Sequence, residues 1–357
     1  MTTAVRPTST PGTEPARPPG PRRLLRRIPL GVVLLASLAL PPTLTSKQLS
    51  VYILLGLAIL VTLGLSLLMG YAGQVSLGQA SFTCIGGYTA GLLAVHGVPS
   101  SVGLLAAPVV AALFAVLVGI PLLRLRGHAL AFATLAMQLI LLSLLSQADW
   151  AGGAIGLQGV PRLSVGGVEL VEDLSYAYLT WGAVAVTMLL AYHVITSRAG
   201  RGLRALASSE SAAAACGVPV GRYRLVVFAL SAATAGLAGG IYAFYVGYLS
   251  PGSFPVLISI EYVVMAVVGG LGTLWGPVLG ATGMVLLVQV LNTLGTRPGM
   301  PSYAPSVLSY AGYAALLVLV LLLLPRGLGP ALGDLGSALR RAVARRRAGV
   351  AWRVDDA

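Results

Sequence analysis

Long stretches of this chain carry no charged residue, and short polar or glycine-rich breaks separate them. Tyr52 to Met69 is free of charge, and so is Ala129 to Gln147. A helix needs about 20 mainly apolar residues to cross the hydrocarbon core of a bilayer. Backbone groups in lipid must be satisfied within their own segment, so runs of this length predict helices. The short alternating strands of a β-barrel are not found. Ten spans are expected, over 29–45, 49–69, 78–96, 101–123, 128–147, 176–196, 224–246, 256–269, 276–294 and 306–325. The pattern therefore predicts an all-α, polytopic transmembrane helical bundle over 29–325, preceded by a basic tail (1–28) and followed by another (326–357). The Gly-rich stretches 70–78 and 269–276 read either as loops or as re-entrant breaks.

Composition agrees with the pattern. Hydrophobic residues make up 57% of the 357 residues and charged residues only 9%, against about 25% charged in a soluble domain. Charge also suggests an orientation. Ten spans put both tails on one side, and that side collects 20 of the 23 Lys and Arg. They are six arginines ahead of the first span, Arg124 and Arg126, five between Arg198 and Arg224, and seven in the C-terminal tail. Only Lys47, Arg162 and Arg297 fall opposite. Positive residues stay in the cytoplasm, so both termini are expected there. The net charge of +13 then reflects anionic headgroups, and no nucleic-acid partner is expected. Met1 to Pro21, rich in Pro, Thr and Arg, cannot bury a core and reads as disordered. It does not read as a signal peptide, and the first span is expected to be retained. Cys84 and Cys216 are expected in different environments, unpaired and inert. No metal or cofactor is expected.

If this chain transports against a gradient, the energy must come from another chain. A P-loop needs a Lys after a Gly-rich turn, and the one lysine, Lys47, follows Thr45 and Ser46. Ionisable groups inside spans mark pumps and ion-coupled transporters, and few are present. Glu261 is the chief one. It reads as a polar contact in a translocation path or between helices, or as an interfacial carboxylate.

The loop 197–223 carries the densest information. Leu203 to Cys216 is rich in Ala and Leu, strong helix formers. Gly217 stands where a helix ends and Pro219 follows. One short amphipathic helix along the membrane surface is predicted, either as a coupling helix docking on a cytoplasmic ATPase or as an ordinary interfacial helix. In the break GYAGQVSLGQA (70–80), Gly73 and Gly78 are conformationally free, while Gln74, Ser76 and Gln79 supply uncharged donors and acceptors. The residues read as the lining of a polar path or as close helix packing. Gly236 and Gly240, at small-xxx-small spacing, read as packing.

These motifs together resemble one family. Glu210, Ala213 and Gly217 keep the E-x-x-A-x-x-x-G spacing of the loop by which membrane subunits of bacterial ABC importers meet their ATPases. GYAGQVSLGQA, LRLRG (123–127), AFATLA (131–136), GGAIGLQGVP (152–161), 228–240, LSP (249–251) and VGGLGTLWGP (268–277) are similar to the LivM-type permeases of branched-chain amino-acid importers, in order and spacing over about 50–325. Ala151 and Ile155 stand where that family's outer loop has Thr and Asn. The resemblance implies a permease that pairs with a homologous permease, two cytoplasmic ATPases and an extracytoplasmic substrate-binding protein. It implies coupling through Glu210, Ala213 and Gly217, with Gly73, Gln74, Ser76, Gly78, Gln79 and Glu261 as candidates for the path. A urea or short-amide permease of the same design, an ion-coupled secondary transporter and a scaffold without transport are the alternatives.

Overall fold

Ser46–Ala72 forms a 27-residue helix, α1. The Gln48 side chain accepts the Thr45 N–H at its start. Gly73 ends it in the left-handed region at φ 65°, its N–H returning to the Leu68 carbonyl. The computed structural model describes residues 40–125, 127–165 and 168–296, with isolated positions between 307 and 329. The chain divides into two units, Met1–Thr43 and Leu44–Ala357. Of the first, a 3-10 turn at Pro41–Thr43 is described; all that follows concerns the second.

After α1 come α2 (Gln79–Val95), α3 (Ser100–Leu122), α4 (His128–Gln147) and α5 (Asp173–Thr196). Two short helices follow, α6 (Arg198–Ser208) and α7 (Glu210–Ala215), then α8 (Val220–Val246), α9 (Val256–Gly269) and α10 (Gly276–Gly295). Each of the eight inner expected spans is thus a helix. The expected spans 29–45 and 306–325 and the two basic tails fall essentially outside the described residues. Seven described helices are long and apolar enough to cross a membrane, counting the 3-10 turn at Pro251–Ser253 with α9. The chain is a helical polytopic bundle. One antiparallel pair of two-residue strands, β1 (Ser164–Val165) and β2 (Val168–Glu169), lies in the long α4–α5 connection.

Burial sorts the helices. The apolar window of α1 is 83% buried and that of α8 61%, against 28% for both α3 and α10. So α1 and α8 are the axis and the others wrap them. Most exposed side chains of α3 and α4, such as Leu105, Leu113, Leu117, Phe132 and Leu144, are apolar. Lipid solvates such a surface without penalty, and association then rests on close packing of small residues. The interface of α2, α3 and α8 is built that way. A Cβ on Gly86 would sit 2.1 Å from the Gly236 carbonyl oxygen, and one on Gly240 would sit 2.9 Å from the Ala107 Cβ. Gly236 and Gly240 therefore pack, as their spacing predicts.

The α1–α8 pair is antiparallel. Tyr245 near the end of α8 donates to the Ser50 hydroxyl near the start of α1 at 3.0 Å, and Gly64 lies against Ser231 and Thr234. At the same end as Tyr245, the α4–α5 connection is clipped to the α8–α9 connection. Leu157 and Leu249 exchange both backbone hydrogen bonds, at 2.7 and 3.0 Å. Gly156 is forced there: its φ is 95°, and a Cβ would meet the Leu249 carbonyl oxygen at 2.2 Å.

Candidate functional site

The break 70–78 re-enters the bundle. Ser231 lies roughly 16 Å along α8 from Val220, at 1.5 Å per residue. Gly64 is level with it, and α1 runs roughly 12 Å further before it stops at Ala72. The non-helical segment 73–78 then turns back, so that Gln79, the first residue of α2, again stands level with Ser231. Its Nε2 donates to the Ser231 Oγ at 3.2 Å. This return explains why α2 has only 17 residues.

Non-helical backbone at that depth must find partners within the protein, and hydroxyls on two other helices serve this segment and the first turn of α2. Thr134 Oγ1 on α4 accepts the Leu77 N–H at 2.9 Å. Ser259 Oγ on α9 accepts the Ala80 N–H at 2.9 Å and donates to Gln138 Oε1 at 2.7 Å. Gln138 Nε2 in turn donates to the Phe254 carbonyl at 3.3 Å. Ser76 Oγ accepts from the Gly78 N–H at 3.4 Å. Gly78 is needed for space, since a Cβ would lie 2.6 Å from the Thr134 carbonyl oxygen. Gly73 is needed for its positive φ, with open space around it. Gln74 is 3% exposed, yet neither atom of its side-chain amide has a hydrogen-bond partner among the described residues.

The two Gly-rich breaks meet. A Cβ on Gly70 would sit 2.2 Å from the Gly272 nitrogen, and Tyr71 Oη donates to the Gly272 carbonyl at 2.7 Å.

Glu261 belongs to a different part of the bundle. It lines a cavity of about 380 Å³ with Leu54, Thr83, Tyr242, Tyr262 and Gln289. The cavity lies between α1, α2, α8, α9 and α10, in the half of the bundle away from α6 and α7. Thr83 links the two places: it lines the cavity, and its Oγ1 donates to the Gln79 carbonyl one turn below at 3.1 Å. The residues 74–79 and Glu261 are therefore two successive levels and not one cluster. Sequence reasoning missed Thr134, Gln138, Ser231 and Ser259. The signal available was polar, uncharged side chains inside otherwise apolar runs.

The loop between α5 and α8 departs from the single helix expected over 203–216. It holds two helices broken at Ser209, whose backbone is extended at φ −160° and ψ 121°. Serine is a strong N-cap, because its hydroxyl can take an orphan N–H of the next helix; Ser209 Oγ accepts the Ala212 N–H at 3.3 Å. That local bond outweighs the propensity that would carry one helix through. Gly217 does terminate α7, at φ 77°, with its N–H on the Ala214 carbonyl and the Val218 N–H on Ala213. Ala213 is 1% exposed, so it packs inward and is not on the exposed face. Glu210 is held by Arg224 through two hydrogen bonds of 3.0 Å each. Cys216 is exposed and Cys84 buried, both as free thiols.

The chain is similar to proteins of known family. Residues 48–324 match the family described as branched-chain amino acid transport system / permease component. The high-affinity branched-chain amino acid transport system permease protein LivM of Escherichia coli K12 is 30% identical over 305 residues, covering 78% of this chain and 68% of that protein. The protein of the same name from Salmonella typhimurium LT2 is 29% identical over the same shares. A probable ABC transporter permease protein, YphD of Escherichia coli K12, is 31% identical over 121 residues, 32% of this chain and 36% of its own. No solved structure matches the chain. The match over residues 48–324 takes in all the described helices apart from the first two residues of α1, and with it the chain belongs to the branched-chain amino acid transport system permease family.

Proposed function

We propose that this chain is the membrane permease subunit of a bacterial ABC importer for branched-chain amino acids. The match across residues 48–324, joined to relatives named for that transport system, carries the reading. The urea or short-amide alternative is not favoured by those relatives. ATP hydrolysis falls to two separate cytoplasmic subunits, a homologous permease completes the membrane pair, and an extracytoplasmic binding protein delivers the amino acid. The chain crosses the bacterial plasma membrane several times with both termini cytoplasmic, as its arginine distribution supports. The substrate route runs past the Glu261 cavity and then the level of Gln74, Ser76 and Gln79. A zwitterion with an apolar side chain suits a cavity that is mainly apolar and carries one carboxylate.

The test is uptake of labelled leucine into proteoliposomes holding the full complex. Import is expected to require ATP and the binding protein, and to be insensitive to excess urea. Accumulation of leucine against a gradient by this chain alone, without any ATPase, would overturn the assignment.

Gln74 tests the route itself. Replacing its amide with leucine removes two buried polar atoms that lack partners, which is near neutral or stabilising. Gln74→Leu is therefore expected to retain expression and thermal stability while leucine import falls severalfold. Unchanged import would reassign Gln74 to packing.

A further inference from the structure

The family spacing places Glu210 where an ATPase is expected to dock, yet its carboxylate is engaged within the chain. Arg224 Nη1 donates to Glu210 Oε1 and Nη2 to Oε2, each at 3.0 Å. The two side chains are 31% and 18% exposed. A planar guanidinium gripping both oxygens of a carboxylate fixes direction as well as distance, which a lysine cannot do.

The surroundings show what this fork connects. On its N-terminal side α7 is freed from α6 by the extended backbone at Ser209. On its C-terminal side Cys216 to Pro219 separates it from α8, with Gly217 in the left-handed region. A six-residue helix between two such breaks has little of its own to hold it. Ala213 is its only buried residue. Arg224, by contrast, sits in the second turn of α8, a helix fixed along its length by glycine contacts to α2 and α3. Seven residues further along α8, Ser231 receives the Gln79 side chain.

We propose that Glu210 and Arg224 form the joint that passes movement of α7 to α8, and through Ser231 to the polar start of α2. This rests on the permease reading above. Glu210 is then a positioning residue that works inside the chain. The surface offered to the ATPase is formed by its exposed neighbours Ser211, Ala212, Ala214 and Ala215. A push on α7 moves the N-terminal end of α8 because the fork resists both shear and separation; without it, α7 swings on its two breaks.

The readout is leucine imported per ATP hydrolysed by the full complex in proteoliposomes. A merely structural defect lowers the amount of complex recovered and leaves this ratio unmoved in what remains. Glu210→Arg and Arg224→Glu are each expected to lower the ratio about tenfold, in the range of coupling between directly paired charges. The exchanged pair, Glu210→Arg with Arg224→Glu, is expected to recover most of it. An exchange no better than either single change, or single changes that keep the ratio, would overturn the joint. Should a reversed charge prevent recovery of the complex, the neutral cycle decides. Glu210→Gln, Arg224→Gln and the double variant are expected to lose the ratio equally, and losses that multiply would overturn the proposal. A wild-type complex that imports no leucine overturns the permease reading; wild-type import with multiplying losses overturns the joint alone.

Discussion

Gly239→Val is expected to destabilise the bundle by about 3 kcal/mol, the upper end for forcing added volume into a packed interior. A Cβ at this position would lie 1.9 Å from the Thr83 carbonyl oxygen and 2.9 Å from the Gly87 nitrogen. Both are backbone atoms of α2, so no rotamer can relieve the clash. The helices must part instead. In lipid no hydrophobic force rejoins them, because the tails are as apolar as the side chains, and attraction comes from close contact. Separation also withdraws Ser231 from Gln79, so leucine import is expected to fall with stability. The measurement is the melting midpoint of the purified protein in detergent, set beside Gly182→Ala, where a Cβ meets nothing within 4 Å. A midpoint for Gly239→Val equal to that of the control would show that α2 and α8 do not depend on this contact.

Ser259→Ala is expected to cost about 2 kcal/mol or more, because it strands two buried polar groups at once. Ser259 is fully buried. Its hydroxyl is the acceptor for the Ala80 N–H and the donor to Gln138 Oε1. The Ala80 N–H lies in the first turn of α2, where a helix has no internal partner for its amides. Methyl for hydroxyl leaves that N–H and the Gln138 oxygen unpaired at a depth where water is scarce. Ser259→Thr keeps the hydroxyl and is expected to retain most of the stability. Thermal melting of the two variants checks this, and a Ser259→Ala protein as stable as the threonine variant would remove the hydroxyl from the account. Leucine import measured on the same preparations is expected to follow the order wild type, Thr, Ala, since the proposed route passes the start of α2.

Much of the architecture was legible along the chain. Spans free of charge have one stable form in lipid, so α1 to α5 and α8 to α10 could be read to within a few residues. Small-xxx-small spacing foretold that Gly236 and Gly240 pack, though not against which helices, and Gly217 foretold the end of α7. The Ser209 break was harder, because one serine in an alanine-rich run lowers the summed helix propensity only slightly while also offering a cap. Propensity sums over a window, whereas a cap acts at one residue.

The amino-acid order by itself determined that this is a membrane bundle, where most of its helices run, and the family to which it belongs, because length, charge and motif spacing are properties of consecutive residues. Only the tertiary structure decided that 73–78 turns back to mid-bundle, that Thr134 meets its Leu77 N–H, and that Ser231 and Ser259 meet Gln79 and Ala80 at the start of α2. It alone set Glu261 on a separate cavity, turned Ala213 inward and joined Glu210 to Arg224. Each of those facts pairs residues from different helices, and in a bundle without water the partner of a buried polar group is fixed by packing and not by its neighbours in the chain.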